Sequence, residues 1–163
     1  MQQTIKLLIE SQPIASKRHR ALRLTGHQYD PQKKEKAVVK WQIIKQLQAL
    51  KRSNFYLFDN CVYFDEAQFF EVRFVYYMKT PKTLQRALKC DSEGVFVCRK
   101  KPDLDNLEKF YLDCMSGVVY PDDAMIVSLS SSKWYSLDPR TEIEVTAHFR
   151  DGKEPYRWGK TLC

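Results

Sequence analysis

The sequence predicts an α+β (mixed α/β) fold, a single domain in which a small mixed sheet is packed with helices. Two observations carry this. The 163 residues are 44% hydrophobic and 13% aromatic, enough for one domain with its own core and too apolar for a disordered chain. Runs of β-branched and aromatic residues alternate with stretches of helical periodicity, in the order β-α-β-α-β-β, which favours helices layered on a sheet.

Residues 4–10 (TIKLLIE) read as the first strand. Residues 13–24 follow as a charged loop with Lys17, Arg18, His19, Arg20 and Arg23. Residues 31–51 have helical spacing, with Ala37, Trp41, Ile44, Leu47 and Gln48 as the expected buried stripe and Trp41 in the core. Residues 54–64 are aromatic and fit either a short hairpin or an irregular packed loop. The strongest strand signal is FFEVRFVYYM at 69–78. Residues 80–101 read as a long basic connection, and a second helix is expected from about Leu104 to Ser116. Gly117 suits its left-handed C-terminal stop. Leu104, Leu107, Tyr111 and Cys114 form its apolar stripe. Residues 125–130 and 142–149 read as closing strands. No internal repeat or low-complexity linker interrupts residues 1–150, and residues 151–163 form a basic, aromatic tail with Lys153, Tyr156, Arg157, Trp158 and Lys160.

A net charge of +7 points to a polyanionic partner. No run is long enough to span a membrane, and residues 1–10 lack the features of a signal peptide, so the expected location is the cytosol. The five cysteines (Cys61, Cys90, Cys98, Cys114, Cys163) are odd in number, irregularly spaced and without a CxxC pair. This argues against a zinc finger and for free thiols, with Cys114 in the core.

Against this basic background, residues 101–109 (KPDLDNLEK) and Asp122-Asp123 concentrate carboxylates. If Asp103-Leu104-Asp105 is extended, the two carboxylates share a side roughly 6–7 Å apart at Cα. Asp105-x-x-Glu108 also fits a capping box, with Asp105 as helix cap. The helix that follows travels roughly 20 Å, and residues 118–123, if extended, can return a similar distance. One or both of Asp122 and Asp123 can then come back beside Asp103 and Asp105. Carboxylate ligands suit Mg²⁺, or Mn²⁺ in its place, and Lys109 would sit one turn from Asp105. A plainer account fits the same residues: a helix cap, a Lys109–Asp113 surface ion pair of about 0.3–0.5 kcal/mol and a turn at Asp122-Asp123. Spacing alone does not choose between them.

From Lys101 to Val127 the chain resembles the RusA family of Holliday-junction resolvases, in KPDLDNLEKFYLDCMSGVVYPDDAMIV. An aspartate, one residue, Asp-Asn-Leu-x-Lys, a helix, a short hydrophobic turn and Asp-Asp before a strand all occur in the family's order. Weaker likeness extends to the opening strand, the SKRHRALR loop and residues 133–145. The resemblance implies a RusA-like nuclease domain over residues 1–150. It implies a homodimeric, Mg²⁺-dependent endodeoxyribonuclease that resolves four-way DNA junctions by paired symmetric nicks, in recombination and repair, and that associates with the nucleoid when bound to DNA. It places catalytic and metal-binding aspartates at Asp103, Asp105 and Asp123, the companion acid at Asp122 and the assisting lysine at Lys109. The expected phosphate contacts are Lys17, Arg18, Arg20 and Arg23 in the first loop and Arg99, Lys100 and Lys101 beside the acids. The chain is longer than compact members at 54–64, 80–100 and the tail, so cleavage is a safer expectation than strict junction selectivity. Phe70, Tyr76, Trp134 and Tyr135 are read as core rather than base-stacking residues.

Four rival readings are to be weighed. A restriction-type nuclease would need a strand with Glu-x-Lys, which Glu142-Ile-Glu144 is not. A DxD phosphotransferase would place its aspartates after a hydrophobic strand, and basic residues precede them here. A non-catalytic, architectural DNA-binding protein that kept the fold, or a nuclease for other branched DNA, needs experiment to separate.

Overall fold

The computed structural model describes residues 1–17, 20–21, 28–50, 62–64, 66–89 and 95–149. Among the described residues, strands and α-helices follow one another as β1 (Gln2–Ile9), β2 (Arg20–Ala21), β3 (Gln28–Tyr29), α1 (Lys33–Leu50), β4 (Phe69–Lys79), α2 (Lys82–Lys89), β5 (Val95–Val97), α3 (Leu104–Met115), β6 (Ile126–Ser136) and β7 (Arg140–His148). Five strands form one mixed sheet in the order β1-β7-β4-β6-β5, while β2 and β3 pair separately. Only β4 and β6 run parallel within the large sheet. Their crossover carries α3, as a parallel connection requires. The α+β expectation holds, with more elements than anticipated.

Alternation along the strands sets the core on one face of the sheet. Ile5, Leu7 and Ile9 of β1, Phe74 and Tyr76 of β4 and Ile143 of β7 are buried. They belong to one cluster with Val39, Ile43 and Leu47 of α1 and Leu107, Phe110 and Tyr111 of α3. The opposite face is open. Arg73, Val75, Tyr77, Ser132, Trp134 and Glu142 help line a hollow of about 690 Å³ there. Phe70, Tyr76 and Tyr135 are buried as expected, while Trp134 is half-buried on this open face.

Several boundaries move. The stripe of α1 is rotated from the expected one: Val39, Ile43 and Leu47 face inwards and Trp41 is 57% exposed. Both registers have helical spacing, and the aromatic ring misled the choice. Trp41 instead carries the Lys45 ammonium 4.3 Å from its ring centre, a contact available to an exposed aromatic. The supposed connection at 80–101 contains α2 and β5. The strand expected at 125–130 runs on to Ser136, where Trp134, Tyr135 and Ser136 pair with β5. Of the 54–64 segment, residues 54–61 lie outside the described residues, as does the tail.

Tyr111 ties three parts of the chain together. Its ring packs 5.7 Å from Tyr76 and 6.2 Å from Phe74. Its hydroxyl accepts hydrogen bonds from Thr141 Oγ1 at 2.9 Å and from the Ile14 amide at 3.3 Å. Cys114 one turn later is buried as expected, and burial pushes its thiol up to about 12, which keeps it protonated and inert. Tyr111→Phe keeps the ring and orphans two donors, so it should lower stability by about 1–3 kcal/mol at unchanged m-value in urea unfolding. Trp41→Ala should change stability by less than about 0.5 kcal/mol in the same assay.

Candidate active site

Helix α3 starts directly after the basic run Arg99-Lys100-Lys101, and Asp103 is its N-cap residue. Asp103 is extended (φ −75°, ψ 152°), and its exposed side chain makes no capping hydrogen bond. Asp105 lies inside the first helical turn, where the helix dipole favours its negative charge. The helix therefore begins two residues earlier than a cap at Asp105 requires. With helical backbone from Leu104 onwards, Asp103-Leu104-Asp105 is not the continuous extended run that the strand geometry assumed. The Asn106 side chain donates to Asp105 Oδ1 at 3.2 Å and helps hold that carboxylate.

Three tethers position this corner. Lys133 of β6 donates from Nζ to the carbonyls of Lys100 (2.7 Å) and Pro102 (2.6 Å), and its own carbonyl accepts from the Cys98 amide at 3.3 Å. Ser131, two residues earlier, donates to Glu108 of α3. The Ser16 amide donates to the Asn106 carbonyl at 2.7 Å, and the buried Gln32 side chain accepts from the Lys17 amide and donates to the Ala15 carbonyl at 3.0 Å. The first loop is thereby bound to the start of α3, which brings Lys17 to the acids.

Lys17, Arg99, Lys100 and Lys101 are all exposed around this corner. Arg18 and Arg23 lie outside the described residues, and Arg20 is described only through its backbone in β2. Lys109 is exposed and forms no ion pair with a described residue. The expected Lys109–Asp113 pair does not form. Asp113 binds Lys36 of α1 at 2.8 Å, and Lys36 also reaches Asp30 at 2.7 Å. Lys133, Gln32 and Asn106 were missed as positioning residues. For Lys133 a signal existed, because Leu129, Ser131, Lys133 and Tyr135 share one strand face and Tyr135 is core.

The second pair of acids is held elsewhere. Gly117, at φ 71°, stops α3 as anticipated. The following residues do not run back along the helix. The Gly117 amide donates to the Tyr120 carbonyl at 2.8 Å, and the buried Tyr120 donates from its hydroxyl to the Leu112 carbonyl at 3.3 Å. A short 3-10 turn at Asp123–Met125 then leads into β6, capped by Asp122 accepting from the Ala124 amide at 2.9 Å. The hydrogen bond between the neighbouring carboxyls, first among the causes, raises the pKa of Asp123; the nearby charge of Asp113 adds to it. The Ala124 amide, and then that same carboxyl–carboxyl bond, lower Asp122. Asp122 and Asp123 are thus together, near the C-terminal half of α3. Asp103 and Asp105 are together at its start, and the helix's 12 residues span roughly 18 Å between them.

A family profile described as Endodeoxyribonuclease RusA matches residues 10–146. The chain belongs to the RusA family. The match takes in the two acid pairs, Lys109, Lys133 and the Ser16–Asn106 tether. An uncharacterized protein of Bacillus subtilis, YqaN, is 33% identical over 72 residues, which is 42% of this chain. The chain matches about half (51%) of that relative's length.

Divalent-metal chemistry in this family sets a test for the acids. Their oxygen donors suit a hard cation such as Mg²⁺. Yet among the described residues no three Asp, Glu, His or Cys side chains lie where they could hold one ion. Among the described residues the candidate acids form two separate pairs, Asp103 with Asp105 and Asp122 with Asp123.

The Asp122–Asp123 couple makes a prediction independent of metal. In carboxyl-carbon NMR titration of the metal-free protein, Asp123 should titrate above an ordinary aspartate and Asp122 below. Asp122→Asn should bring the Asp123 midpoint down, because the amide can donate to its carboxylate. An Asp123 midpoint that does not fall would mean the pair does not share a proton.

Proposed function

We propose that this RusA-family protein is an endodeoxyribonuclease acting on branched DNA, with the four-way junction as preferred substrate and a requirement for Mg²⁺. The observation that carries the reading is an exposed acid pair, Asp103 and Asp105, set within exposed basic residues in a chain whose family match spans nearly all of its folded part. The basic residues would engage phosphates and the acids would work on the one brought to the corner. Bound Mg²⁺ would supply Lewis-acid polarisation of the phosphodiester.

The chain's own residues divide the remaining work. Lys17, Arg99, Lys100 and Lys101 neutralise backbone phosphates and set the register of DNA against α3. Lys109 stands one turn along from Asp105, where its ammonium can stabilise charge developing on the phosphate oxygens. Asn106 and Lys133 hold the carboxylate and the loop in place. A homodimer with two-fold symmetry would offer equivalent sites to opposed strands of a junction, giving paired nicks that release two duplexes. Such an enzyme would act where cellular DNA recombines, at the nucleoid; no described helix is long and apolar enough to cross a membrane.

Purified protein with Mg²⁺ should nick a synthetic four-way junction in preference to flap, fork and linear duplex. Asp103→Asn or Asp123→Asn should reduce cleavage at least ~100-fold while gel-shift binding in EDTA is kept or tightened, since an acid facing DNA is removed. Cleavage at the wild-type rate by either variant rejects the site assignment. Binding by wild type with no nicking on any substrate favours an architectural DNA-binding protein instead. Replacing Lys17 or Lys100 by Ala should lower the slope of log affinity against log salt by about 1, measured by titration at several salt concentrations.

A further inference from the structure

Helix α2 is basic, exposed and anchored through its first turn. Its eight residues, KTLQRALK, include Lys82, Arg86 and Lys89 and no acid. Lys82, Thr83, Leu84 and Arg86 are exposed and Gln85 is half-buried, and none of them belongs to the core cluster. Hydrogen bonds fix the entry to the helix. Thr80 donates to the Ser136 carbonyl from its amide at 3.2 Å and from its hydroxyl at 2.7 Å. The Gln85 side chain donates back to the Thr80 carbonyl at 3.3 Å. A helix this short is marginal in water unless something packs on it. Lys82 and Arg86 stand one turn apart on one face, where like charges repel by about 0.2–0.5 kcal/mol. Neither forms an ion pair with a described residue. This pattern is unfavourable for a free helix and favourable against an anion.

The place of α2 in the fold selects the anion. β6 lies between β4 and β5 in the sheet. β4 ends at Lys79 and β5 begins at Val95, and both residues are level with Ser136 of β6. The connection that carries α2 therefore crosses the C-terminal end of β6. At that same end Lys133 holds the carbonyls of Lys100 and Pro102, just before α3 begins. The first loop comes there too: the Gln12 side chain accepts from the Lys79 amide at 2.9 Å, and the Ser16 amide donates to the Asn106 carbonyl. Three segments distant in sequence thus bring exposed cations to one end of the sheet, namely Lys17, Lys82 with Arg86, and Arg99–Lys101. Ser136 lies three residues beyond Lys133, roughly 10 Å along the strand, and the length of α2 adds roughly 12 Å. Lys82 and Arg86 fall within roughly 20 Å of the acidic corner, a reach of about six base pairs of duplex.

We propose that α2 is a contact for a duplex arm of the DNA, with Lys82 and Arg86 binding backbone phosphates up to about six base pairs from the phosphodiester held at Asp103 and Asp105. The proposal rests on the nuclease reading and adds to it a second phosphate track, remote from the chemistry. A basic helix of this kind also suits an anionic lipid surface. The duplex is favoured because α2 shares its end of the sheet with the acidic corner and the other exposed cations, so DNA held at the corner passes within reach of it. Phosphates bound at two separated places fix the direction of an arm as well as its position.

Binding in EDTA tests this without calling on cleavage. The probe is a four-way junction with arms of about 15 base pairs, titrated at several salt concentrations. Lys82→Ala combined with Arg86→Ala should weaken binding about tenfold near physiological salt and lower the slope of log affinity against log salt by about 2. Both side chains are exposed and alanine favours the helix, so the melting temperature should not fall. Lys82→Arg combined with Arg86→Lys keeps the charges and should bind as wild type does. The same junction is then made with neutral methylphosphonate linkages about three to six base pairs from the branch. These should weaken wild type about tenfold and the doubly substituted protein less than about twofold, because the partners of the lost phosphates are already gone. Equal slopes, or equal losses on the neutralised junction, overturn the α2 contact and leave the nuclease reading standing. If wild type binds no DNA, the nuclease reading falls and this proposal with it. If the alanine substitutions spare junction binding but abolish binding to phosphatidylserine vesicles, α2 is a lipid contact and the duplex-arm assignment is overturned.

Discussion

The contact between α3 and the sheet governs where the chemistry can sit. Tyr111, Phe110 and Leu107 bury one face of the helix against Phe74 and Tyr76, and the Tyr111 hydroxyl binds both the β7 side chain of Thr141 and the loop backbone at Ile14. A helix held this way cannot slide or rotate without opening a cavity or stranding buried donors, and each of those costs a few kcal/mol. The orientation of Asp103 and Asp105 is a consequence of that packing. So is the position of Lys17, because the segment that carries it hangs from Tyr111 and Asn106.

Around the helix start, polar tethers do what packing cannot. Asp103 and Asp105 are exposed, so apolar contact cannot fix them. Lys133 solves this from below, with its ammonium on the carbonyls of Lys100 and Pro102, just before Asp103. Its role is one that charge counting hides. Among the basic residues of this chain, Lys133 lies on the helix-facing side of a central region of the sheet and binds protein, while Arg99, Lys100 and Lys101 face solvent. The open sheet face, with Arg140 stacked 3.8 Å over Tyr77, is a separate surface that the acids do not reach.

The elements that read most clearly from the sequence were those with strong local signals. β4 was placed within a residue, because FFEVRFVYYM is rich in β-formers, and α3 was placed within a residue at its end, because Gly117 alone can take φ 71° without strain. The rotation of α1 was not legible, since two helical stripes coexist in it and only tertiary contact selects one. α2 and β5 were invisible in a basic stretch for a related reason: β5 has three residues and exists by pairing with β6. The motif singled out the acids as candidates, but their arrangement was not legible in it. Extended geometry at Asp103–Asp105 lost to a helix that starts at Leu104, and the return of Asp122-Asp123 lost to the turn that Gly117 and Tyr120 close. Chain length permitted the return, and the hydrogen bonds at the end of α3 took the other path.

That other path has an electrostatic logic. Four carboxylates drawn into one corner of a single chain would repel whenever no cation was present, and Asp122 and Asp123 already perturb each other as a mere pair. Keeping the pairs a helix length apart relieves each folded chain of that repulsion.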